Sequence, residues 1–196
     1  MKKPDILEAL RPVAKIFDAL SIPYYIGGSI ASSIYGLARA TMGVDLIASI
    51  KQRHIEPLRD ELEGQYYIDA DMILKAIRSS SSFNLIHLDT TIKIDVFISK
   101  GDVYEREVFK RKRKDTLDEE APGSEFYFSS PEDTILNKLQ WYDMGERSSE
   151  RQWLDIIGIL KVQNALLDKD YLSKWAKKLQ LLELLEKAYQ EAFPGS

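Results

Sequence analysis

The chain of 196 residues has no cysteine, only two histidines, and no apolar run approaching the ~20 residues that span a bilayer. The missing cysteine excludes disulfides, thiolate nucleophiles and cysteine-based zinc sites. His54 and His87 lie far apart and neither falls in a metal-ligand spacing, which argues against a catalytic histidine. The opening MKKPDILEALRPVAKIF has no continuous apolar stretch and no small-residue cleavage site, so it does not read as a signal peptide. The expected compartment is the cytoplasm, with no membrane partner. An excess of positive charge is also missing. With 27 Lys and Arg against 31 Asp and Glu, wholesale coating of a nucleic acid is disfavoured, although one basic patch is not.

What is present reads as a globular chain with 44% hydrophobic and 30% charged residues. Ile6, Leu7, Leu10, Val13, Ala14, Phe17 and Leu20 recur at helical spacing, and Ser21-Ile22-Pro23 ends that helix. Tyr24 to Ile26 reads as a short buried strand, Ser29 to Leu37 as a helix and Val44 to Ile50 as the next strand. Helices are expected near 54–63 and 71–77, with a strand near 66–68. Ser82 to Asp89 and Thr91 to Ser99 alternate about Asp89-Thr90 as an antiparallel hairpin. Asp118 to Ser124 is a polar loop, Phe126 to Phe128 a last strand, and only helices are expected from Pro131 onward. The expected organisation is an α/β (α+β) core at residues 1–130, a mixed sheet flanked by helices, followed by an all-helical part at 131–196.

Chemistry concentrates between Ile26 and Ile50. Gly27-Gly28-Ser29 joins a strand to a helix start, where backbone N–H groups have room to approach a phosphate. Asp45 lies on the following strand and Asp95 on the second hairpin strand, both among apolar neighbours. A carboxylate at the edge of a core is costly unless it is paired or metal-bound, and such carboxylates suit magnesium beside a phosphate. The alternative for each is a nearby lysine or arginine, or water. Two carboxylates at i and i+2 of one strand point the same way, but here Gly43 stands where the first would be.

With these residues in place, the chain resembles the nucleotidyltransferase superfamily of the DNA polymerase β type. Within it, the chain is most similar to small bacterial and archaeal abortive-infection and toxin–antitoxin proteins. The resemblance rests on Gly27-Gly28-Ser29, Arg39 with Thr41, Gly43-x-Asp45, Lys93-Ile94-Asp95, Pro131-Glu132-Asp133 with Lys138-Leu139, and Asp155. It implies that Gly27, Gly28 and Ser29 hold the triphosphate of an NTP, and that Asp45 and Asp95 bind Mg2+. It also implies that Arg39 and Thr41 shape the turn or reach the nucleotide, and that Lys138 offers charge to phosphate. Asp155 would brace the helices or position Lys138. The implied reaction is Mg-dependent transfer of a nucleoside monophosphate from an NTP to an acceptor hydroxyl on RNA such as tRNA, on protein or on a small molecule.

Gly43 supplies no metal ligand. Two readings follow: an impaired transferase, or a catalytically degenerate nucleotide-binding or regulatory, antitoxin-like partner module. The basic run Lys110 to Lys114 also has two readings, a nucleic-acid phosphate contact or a solvated helix end facing Asp118-Glu119-Glu120. Trp141, Trp153 and Trp175 are expected to pack in helical cores.

Overall fold

Apolar alternation at Val44, Leu46 and Ala48, and again at Ile94, Val96 and Ile98, gives two strands one buried face each. The computed structural model describes residues 3–41, 43–121 and 123–195. In chain order, α1 (Lys3–Ala19) leads to β1 (Tyr24–Ile26), α2 (Gly28–Tyr35) and β2 (Gly43–Ala48). Next come α3 (Ile55–Leu62), β3 (Tyr66–Tyr67), α4 (Ala70–Ser79), β4 (Ser82–His87) and β5 (Lys93–Ile98). Then α5 (Val103–Arg111), β6 (Arg113–Thr116) and β7 (Glu125–Phe128) follow. The chain ends in α6 (Pro131–Met144), α7 (Glu150–Gln163), α8 (Lys169–Lys178) and α9 (Leu182–Ala192). No helix among the described residues is long and apolar enough to cross a membrane.

The backbone divides into two units: Met1–Gly27 with Ala40–Phe128, and Gly28–Arg39 with Ser129–Ser196. The first unit holds a seven-stranded mixed sheet in the order β3-β4-β5-β2-β1-β7-β6. β2 runs parallel to β5 and β1 parallel to β7, while the other pairs are antiparallel. Helices α1 and α4 pack on the strands, and α3 packs between them. Leu10, Val13, Phe17, Leu58, Leu62 and Ile73 fill this layer and are all buried. Each such side chain contributes about 1.5–3 kcal/mol.

The second unit is helical. α6 and α7 pack on one another, with α2, α8 and α9 against them. Ser130 caps α6 by accepting the Asp133 N–H at 3.1 Å, with Pro131 in the first turn; such a cap is worth about 1 kcal/mol. Asp133 is fully buried and accepts hydrogen bonds from the Ser130 and Tyr171 hydroxyls, both at 2.7 Å. Buried Glu132 accepts the Asp168 N–H at 2.9 Å and ties α6 to the start of α8.

The segment carrying α2 groups with the C-terminal helices, although it lies between two strands of the sheet in sequence. Gly36 explains part of this. A Cβ there would stand 3.0 Å from the Ile159 nitrogen and the Ser32 carbonyl oxygen, so only glycine permits α2 to meet α7 so closely. Trp153 and Trp175 are buried as expected, but Trp141 is half exposed.

Candidate functional site

On the first unit, β2 and β5 pair in register, Gly43 opposite Lys93 and Asp45 opposite Asp95. The partners of a parallel pair share a face, so both carboxylates lie on the side of the sheet away from Val44, Leu46, Ile94 and Val96. Both aspartates are half-buried. Gly27, just past β1, donates its N–H to the Asp45 carbonyl at 2.9 Å, and Thr41 Oγ1 donates to the Gly43 carbonyl at 3.2 Å. Asn84 of β4 faces Asp95 from the other side.

Lys93, two residues before Asp95 on the same face, places Nζ 2.7 Å from Asp95 Oδ1, with side-chain exposures of 49% and 27%. A cation therefore already sits on one of the two carboxylates. Its partner across the ladder is Gly43, where a Cβ would lie 3.2 Å from the Lys93 carbonyl oxygen. The donors are hard carboxylate oxygens of adjacent strands, roughly 4.8 Å apart by ordinary strand spacing. That set suits one magnesium ion, which commonly takes one or two carboxylates and completes its shell with water and phosphate.

The second unit carries a different arrangement. α2 opens at Gly28, whose φ of 56° is the left-handed conformation that glycine adopts without strain. Ser29 Oγ accepts a hydrogen bond from Arg39 Nη2 at 3.0 Å. The same guanidinium grips Asp155 with two bonds, Nε to Oδ1 at 2.8 Å and Nη2 to Oδ2 at 2.6 Å. Lys138, on α6 and only 5% exposed, reaches Asp155 Oδ2 at 2.8 Å and Gln152 Oε1 at 2.9 Å. Ser32 Oγ adds a longer bond to Asp155 Oδ2 at 3.4 Å.

Burial pushes the Asp155 carboxyl up. Hydrogen bonds from Arg39 and Lys138, and their charges, outweigh that and hold it below its ordinary value. Two cations thus share one carboxylate beside a helix start, leaving local charge that favours an anion.

The residues expected from sequence fall into these two groups. Gly27, Thr41, Asp45 and Asp95 belong to the first unit; Gly28, Ser29, Arg39 and Lys138 belong to the second. Asp155 meets Lys138, the contact the resemblance implied, and it also holds Arg39. Gln152 and Ser32 were not foreseen. The i, i+3 spacing of Gln152 and Asp155 on α7 was the available signal. The basic run is divided between the end of α5 and β6. Its Lys110 pairs with Glu107 and Lys114 with Glu125, each over a distance below 3 Å. Lys112 Nζ lies 3.9 Å from the Tyr127 ring centroid.

A seven-stranded mixed sheet with helices, in this element order, is a fold also found in solved nucleotidyltransferase structures. Solved structures of that class match the chain along most of its length. The antibiotic-resistance factor ANT(2'')-Ia aligns with a TM-score of 0.55 at 13% identity, covering 95% of this chain and 99% of that one. A nucleotidyltransferase-like protein from Paracoccidioides brasiliensis aligns at 0.51 and 19% identity, covering 94% and 93%. The lincosamide antibiotic adenylyltransferase LnuA aligns at 0.50 and 12% identity, covering 83% and 98%. No family model and no curated protein matches the sequence. The chain thus has the nucleotidyltransferase fold.

Proposed function

We propose that this protein is a cytoplasmic nucleotidyltransferase that moves a nucleoside monophosphate from an NTP to an acceptor hydroxyl, with release of pyrophosphate. The observation that carries this reading is the register of Asp45 with Asp95 on one sheet face. These two carboxylates would hold Mg2+. When bound, the ion supplies positive charge against the phosphate oxygens as negative charge develops there. The Gly27 and Gly28 turn and the Ser29 hydroxyl at the start of α2 would take the polyphosphate. Thr41 fixes the turn before β2 through its bond to the Gly43 carbonyl. Arg39 and Lys138, oriented by Asp155, would direct positive charge at phosphate; Lys138 acts as a point charge and Arg39 as a planar fork. The acceptor would be RNA, protein or a small molecule; LnuA is an antibiotic adenylyltransferase.

A specific observation favours a second reading, a catalytically degenerate nucleotide-binding or antitoxin-like module. Gly43 gives no ligand, and Lys93 already neutralises Asp95. Incubation with each α-labelled NTP and cellular RNA, protein or small-molecule hydroxyls tests the transferase directly. Label transferred in the presence of Mg2+, and lost in Asp45→Asn, supports it. Calorimetry that finds nucleotide binding indifferent to Mg2+, with no label transferred, favours the module.

A further inference from the structure

On the first unit Glu8 of α1 meets two residues far along the chain, His87 at the end of β4 and Asp89 in the turn after it. One ligand atom of each lies within 4.8 Å of the other two. His87 is the buried anchor, 3% exposed, with its ring 5.0 Å from that of Tyr66. Its Nδ1 is hydrogen-bonded to Thr90 Oγ1 at 2.8 Å. Tyr66 in turn donates its hydroxyl to the Ala9 carbonyl at 2.6 Å, so the α1 turn bearing Glu8 is independently fixed beside this ring. Two carboxylates at this separation repel one another when both are ionised. Among the described residues, no lysine or arginine pairs with either.

We propose that Glu8, His87 and Asp89 bind a divalent transition ion of the zinc class, which clamps α1 to the turn between β4 and β5. One imidazole nitrogen with two carboxylate oxygens is a donor set that suits zinc, and three protein ligands leave a position for water. Thr90 occupies Nδ1 and so leaves Nε2 to coordinate. A hydroxyl on the far nitrogen holds the ring at the angle the ion needs, as outer partners of metal-bound histidines do. The site is independent of the nucleotide reading, because it shares no residue with Asp45 or Asp95.

Titration with Co2+, a coloured stand-in for zinc, tests the site on the full chain carrying Asp45→Asn and Asp95→Asn, which removes the other carboxylate pair. A saturable visible absorption band, displaced by Zn2+ and retained in excess Mg2+, is expected. Glu8→Gln and Asp89→Asn replace exposed side chains isosterically, and each weakens Co2+ binding by about tenfold or more, as does Thr90→Val, with unchanged far-UV circular dichroism. His87→Gln abolishes the band. If that variant does not fold, the two exposed substitutions decide the matter. Absence of the band, or equal affinity in Glu8→Gln, Asp89→Asn and their parent, overturns the proposal.

Discussion

Each unit sets a lysine against an aspartate, and the two settings differ in almost every respect. Lys138 is enclosed with Asp155, and Arg39, Gln152 and Ser32 add hydrogen bonds to the group. Lys93 leans over Asp95 from a half-exposed sheet face with a single ion-pair contact. Removing one partner of an enclosed pair strands a charge away from water, whereas an exposed pair exchanges freely with solvent ions. The helical unit therefore has a fixed cation, and the sheet unit has one that stands open to solvent.

The largest effect expected is on the enclosed group. Asp155→Ala removes the carboxylate that neutralises the buried Lys138 ammonium, and should lower stability by about 3–5 kcal/mol in urea denaturation. A loss below about 1 kcal/mol would mean that the two lysine settings do not differ. The same group predicts an acid limb. The folded Asp155 carboxyl is held below its ordinary value, so its contribution is complete above the unfolded value, about 4. It is lost as pH falls through the lower folded value. The urea midpoint should drop on acidification through that window, and Asp155→Ala should flatten the drop.

Asp95→Asn comes next, with a loss of Mg-dependent transfer of roughly 100-fold in labelled-nucleotide assays, equivalent to about 2.7 kcal/mol of transition-state stabilisation. Gly43→Asp should act in the opposite sense on activity by restoring a ligand, at about 1–3 kcal/mol of fold stability, because the Lys93 carbonyl must give way to the new Cβ. Urea denaturation and Mg2+ titration on the same preparation separate those two consequences. The smallest effect belongs to Lys93→Met. Stability should change by less than about 1 kcal/mol, while calorimetry with Mn2+ should detect tighter binding once Asp95 is released. Unchanged Mn2+ affinity would mean that Lys93 does not compete with metal.

Much of the sheet unit was readable because its chemistry follows strand periodicity. Alternation about Asp89-Thr90 marked the β4–β5 hairpin, and the same alternation put Lys93 and Asp95 on one face. The parallel pairing of β2 with β5 was not readable, since nothing local encodes which distant strand lies alongside. β6 escaped notice because Arg113 to Thr116 is polar and takes its apolar support from β7 alone. The placement of α2 with the C-terminal helices depends on Gly36, whose role appears only when Ile159 lies against it. The Glu8, His87 and Asp89 cluster was hidden for the same reason: His87 and Asp89 are near neighbours in sequence, but only folding brings Glu8 to them.

The margins of the sheet bear on how other chains can approach. One margin is the two-residue β3 and the other is β6, which presents Arg113, Lys114 and Asp115 with Lys114 held by Glu125. A short border and a charged one both discourage the zipper-like addition of a foreign strand. The sheet of this molecule is accordingly guarded at both margins against extension by an eighth ribbon.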